Sequence, residues 1–67
     1  MGFRDAVANT YVAINVAQTV ISSMGYPPNL QNQLADWSRM EASAWVQRAL
    51  TESEIADRVK SKANSLR

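Results

Sequence analysis

From Ala6 to Ala35 the chain runs for thirty residues without a Lys, Arg, Asp, Glu or His. Such a run is either a membrane span, a buried helix, or a surface that meets another surface. Asn9, Thr10, Asn15, Gln18, Thr19, Ser22 and Ser23 interrupt it. A span wants about 20 predominantly apolar residues, so the run reads as neither a signal peptide nor a transmembrane segment. From about Asp5 to Met24 there is no Gly or Pro, and the apolar residues follow a helical period. Phe3, Val7, Ile14, Ala17, Ile21 and Met24 fall on one side, with Ala6, Ala13 and Val20 beside them. Val12 and Val16 widen the apolar arc beyond half the circumference. The β-branched residues alone would suit strands, but the length exceeds an ordinary strand.

Gly25 is placed to end this long uncharged helix, and Pro27-Pro28 prevent its continuation. Asn29 can cap the next helix. Leu30, Leu34 and Trp37 share one face of the following turns. Ser38 and Glu41 then form S-x-x-E, a capping-box spacing, so the segment 30–49 is either continuous or broken at Ser38. Ala42, Trp45, Val46 and Ala49 make an apolar stripe in its second half. Thr51 and Glu54 repeat the spacing, with Leu50 and Ile55 at the positions of a hydrophobic staple. The last helix, about 52–65, lines up Ile55, Ala56, Val59, Ala63 and Leu66. The fold class is therefore all-α. It is a single domain, 1–67, with a long uncharged helix followed by shorter amphipathic ones: three in all, or four with a break at Ser38.

A chain of 67 residues has a small core, and natural chains of this size often add a disulfide, a metal or a partner. There is no Cys and no His, which excludes disulfides, thiolate metal sites and His-dependent nucleophilic triads. Gly2 and Gly25 are the only glycines, too few for a phosphate-binding loop. Asp36, Glu41, Glu52, Glu54 and Asp57 are scattered over polar faces, where caps and ion pairs account for them. No enzyme activity, metal, cofactor or small-molecule ligand is expected. Lack of Cys and of a span suits a cytoplasmic or other intracellular location.

The remaining means of stabilisation is association, with itself or in a larger assembly. Charge is depleted at the cores of protein interfaces. The residues expected to make the contact are Tyr11, Val12, Val16, Val20 and Trp37. Trp45, by contrast, reads as the largest filler of the core.

Two resemblances offer other partners. Leu50 to Leu66, LTESEIADRVKSKANSL, resembles the helix-turn-helix of bacterial and phage regulators, with Thr51, Glu54, Ile55, Ala56, Val59 and Leu66 in matching places. It departs from that pattern at Lys60, where a turn Gly is usual, and at Ser61. The resemblance implies DNA binding, with phosphate contacts from Arg58, Lys60, Lys62 and Arg67. The net charge of +1 adds no general pull towards nucleic acid. Met24-Gly25-Tyr26 resembles the loop between helices 1 and 2 of ubiquitin-associated domains, with Ile21 before it and Val46 and Leu50 after it. That likeness implies a ubiquitin-binding patch around the loop and Leu50. Helix 1 looks twice as long as in that family, and the family's Ala-Leu pair is reversed as Leu34-Ala35.

Overall fold

The computed structural model describes residues 5–67, and Phe3, expected on the apolar side of helix 1, lies outside them. Three helices follow one another: α1 (Thr10–Ser23), α2 (Pro28–Gln47) and α3 (Glu52–Leu66). No strand occurs among the described residues. Each helix packs on the other two.

The first helix starts later than its hydrophobic period suggests. Asn9 is extended, and its side-chain oxygen accepts from the backbone N–H of Val12 at 3.0 Å. It is thus an N-cap, satisfying a donor that the first turn leaves unpaired. The residues before it run beside the α2–α3 connection instead. The Val7 N–H donates to the Leu50 carbonyl at 3.0 Å, and Ala6 bridges Thr51 in antiparallel fashion. Val7 is buried there, outside the helix. The expected order of lengths is therefore reversed: α1 has 14 residues, α2 has 20 and α3 has 15.

Gly25 ends α1 as expected, with φ +71° after the cap residue Met24. Met24 itself points outward rather than joining the apolar side. Asn29 does not cap α2. Pro27 is the extended cap residue and Pro28 occupies the first turn, where a missing N–H costs nothing. α2 then passes through Ser38 without a break, which makes three helices and not four. Ser38 is fully buried, and its hydroxyl donates to the Leu34 carbonyl one turn earlier at 2.7 Å. A buried hydroxyl satisfied within its own helix leaves no polar atom unpaired.

α2 ends in a Schellman motif. The Leu50 N–H reaches the Trp45 carbonyl and the Ala49 N–H reaches that of Val46, both at 3.0 Å. Ala49 occupies the position that favours glycine, with φ 56°, so it leaves the stripe expected of it and turns to solvent. The left-handed region costs an L-residue roughly 1–2 kcal/mol. Ala49→Gly is accordingly expected to raise the urea midpoint, by the equivalent of about 1 kcal/mol after glycine's larger unfolded-state entropy is offset. An unchanged or lowered midpoint would contradict this geometry.

The capping box of α3 is complete. Glu54 N–H donates to Thr51 Oγ1 at 3.2 Å, and the Thr51 N–H donates to Glu54 Oε1 at 2.9 Å. Leu50 and Ile55, the staple pair, are both buried. The core is completed by Ala13, Ala17 and Ile21 from α1, by Leu30, Leu34, Ala42 and Trp45 from α2, and by Val59 and Ala63 from α3. Trp45 is 0% exposed and is the largest fully buried side chain. No helix among the described residues is long and apolar enough to cross a membrane.

Candidate functional site

The packing of α3 on α1 sets the start of α3 beside the start of α1. Between the two helices lies an open groove. Val12, Val16 and Val20 form one side of it, each half-buried. They are four residues apart, so they stack in a single row along the helix, and their branched β-carbons hold them in few rotamers. Asn15 and Thr19 flank the row towards solvent, and Glu52, Ser53 and Ala56 form the opposite wall. Among the described residues, Glu52 is the only charged one lining the groove. The Thr19 hydroxyl donates to the Asn15 carbonyl at 2.9 Å, and the Ser23 hydroxyl to that of Val20 at 3.0 Å. These hydroxyls are turned back onto the backbone, which makes the face less polar than its composition implies. Tyr11 stands out from the same end of α1, 81% exposed.

Four of the five expected contact residues are thus on α1, three of them in one groove, and the fifth is elsewhere. Trp37 lies on α2, in a recess between α2 and α3. Its ring meets that of Trp45 edge-on, with centroids 5.3 Å apart at 68°. Lys62 Nζ sits 5.8 Å from the Trp37 ring centre. Trp37 therefore covers Trp45 and is itself partly covered by a lysine, the arrangement of a core's outer edge.

The four candidate phosphate contacts do not form one patch. Arg58 and Lys62 share the recess beside Trp37 with Glu41, Ser61 and Ser65. Lys60 is exposed on another side of α3, and the Arg67 guanidinium lies over the Tyr26 ring, 5.3 Å from its centre. α3 also continues unbroken through Lys60 and Ser61, where a helix-turn-helix needs its turn. The departures at those two positions have a simple result: without Gly, the helix does not stop.

In the loop that resembles ubiquitin-associated domains, the tyrosine is turned inward. Tyr26 is 5% exposed and belongs to the core, as do Ile21 and Leu50. Gln31 Nε2 donates to the Tyr26 carbonyl at 2.8 Å and holds the turn closed. Of that loop only Met24 and Gly25 face solvent. Among the described residues no three carboxylates gather where they could hold a metal ion. Asp36 pairs with Arg39 one turn along α2, at the surface.

Comparison with protein-family models, with curated proteins and with solved structures gives no match to this chain.

The α3 wall of the groove was not apparent from periodicity. Glu52 and Ser53 read as ordinary first-turn residues, and their position opposite α1 comes from the packing of α3 on α1. Met40 is 74% exposed on α2, an isolated apolar side chain of the kind common on protein surfaces.

Proposed function

We propose that the protein is a non-enzymatic helical module that works by packing on protein through α1, as a small oligomer or as a subunit of a larger assembly. The observation that carries this reading is the α1/α3 groove: a row of three half-buried valines, flanked by uncharged amide and hydroxyl side chains, with one carboxylate at its edge. An ordinary solvated helix face carries Lys and Glu, which resist close approach. α1 carries none from Thr10 to Ser23. An intracellular, reducing compartment fits a chain without Cys. Tyr11 and the valine row are the contact residues in this reading. Trp37 contributes to stability and is removed from the contact.

A photo-crosslinking residue placed at Asn15 tests the proposal in cells that express the protein. Adducts are expected from position 15 and not from Ser43, which is exposed on α2. Absence of any adduct from position 15, whatever its mass, would overturn the reading.

A further inference from the structure

Residues 5–8 join none of the three helices and run along the α2–α3 corner instead. Little holds them there. The Val7 N–H donates to the Leu50 carbonyl at 3.0 Å, and Ala6 bridges Thr51. Of the four side chains only that of Val7 is buried, while Asp5 and Ala8 are exposed. One apolar side chain is thus set against the conformational entropy of the whole segment.

The helix ends around the segment are closed without its help. Asn9 caps α1 with its own side chain, which accepts from the Val12 N–H, and its carbonyl accepts from the Ala13 N–H. α2 is closed by the Ala49 and Leu50 N–H groups, which donate to carbonyls of its own last turn. At the start of α3, Thr51 and Glu54 exchange hydrogen bonds with each other. All of these bonds join residues close in sequence, so each survives when residues 5–8 leave. The Leu50 carbonyl then accepts from water. The rest of the core, from Ala13 to Ala63, stays on the helices, on the turn at Tyr26 and at Leu50.

The position of the segment gives its release a consequence. Asp5 lines a hollow with Thr51, Glu52 and Ser53, and Glu52 and Ser53 also wall the valine groove between α1 and α3. The hollow therefore adjoins the groove, and the segment bounds it.

We propose that residues 5–8 are a detachable strap, which opens ahead of Asn9 while the three helices stay packed, and so frees the hollow at the end of the α1/α3 groove. The movement belongs to the chain alone and does not depend on what α1 packs against. Amide hydrogen exchange, followed by NMR over a series of low urea concentrations, tests it. A local opening exposes little surface and changes little with urea, whereas global unfolding exposes much and changes steeply. The Val7 amide is expected to be roughly tenfold or more less protected than those of Ala17 and Val59, and nearly insensitive to urea. Equal protection and equal urea dependence at the three amides would overturn the strap, since the segment would then open only with the whole fold. Val7→Asp places a charge at the buried position and disfavours closure. Its far-UV circular dichroism is expected to stay helical with a cooperative melt, and its chemical-shift changes to gather at residues 5–9 and 50–53. Loss of the helical signal would show that the helices need the segment, and would overturn the proposal as well.

Discussion

Trp45→Ala is expected to leave the chain largely unfolded at room temperature. Trp45 is fully buried where α2 meets α3, in edge contact with Trp37. Truncating a buried Trp costs about 3–5 kcal/mol, through lost burial and the cavity left behind. A single core of this size rarely supplies more than about 3–5 kcal/mol in total. The two figures are of the same size, so the native state loses its margin. Far-UV circular dichroism on heating checks this, and a cooperative melt within a few degrees of wild type would contradict it. Trp37→Ala is the comparison. It removes a half-buried ring and one edge-to-face contact worth about 0.5–1.5 kcal/mol beyond area, so a folded but less stable protein is expected.

Ala17→Leu is expected to destabilise by about 1–3 kcal/mol, the usual penalty for forcing extra carbon into a packed site. Ala13 and Ala17 are 0% exposed and form, with Ile21, the buried line of α1. Their small size lets the α1 backbone approach its neighbours, and a longer side chain at position 17 pushes the helix away. Val16→Leu, one residue earlier on the groove side, has open space to fill and is expected to change stability by less than about 1.5 kcal/mol. Urea midpoints of the two variants measure the contrast. Equal midpoints would mean that α1 is not seated on this line.

Much of the architecture was legible because its signals are local. Gly25 with φ +71° and the two prolines stop α1 wherever the rest of the chain lies. Thr51, Glu54, Leu50 and Ile55 form cap and staple within a few residues of one another. Trp45 falls in a helical stripe and is too large and apolar to leave outside a core this small. The ambiguous positions were those where two local outcomes differ little in energy. Ser38 fits an N-cap or a helix interior equally well by type. It lies inside α2 because closing the bundle buries it, and a hydroxyl bonded to the Leu34 carbonyl tolerates that burial. Ala49 is not a residue that announces a left-handed turn. It adopts one because the α2–α3 corner has to bring Leu50 and Ile55 inward together.

The candidate site divides in the same way. Tyr11 and the valine row were readable because helical spacing alone places Val12, Val16 and Val20 in line. Residue type alone groups Trp37 with them. Only the packing of α2 on α3 separates it, by setting its ring against Trp45 and beneath Lys62. The basic residues of α3 are a similar case. Their number is plain in the chain, but the continuous helix distributes them around its circumference.

The uncharged run that opens the chain determined by itself that α1 offers no charge to solvent or to a partner. It also determined that a break follows at Gly25, since glycine and proline act on the backbone directly. Where α1 begins was decided by tertiary structure. Ala6, Val7 and Ala8 suit a helix as well as an extended segment. The Leu50 carbonyl, brought near by the folding of α2 and α3, takes the Val7 N–H, a donor that a helix starting near Asp5 would leave unpaired in its first turn. That hydrogen bond marks where α1 starts, and the shared core of Ala13, Ala17, Ile55, Val59 and Ala63 holds α3 beside α1 with the groove along the valine row between them.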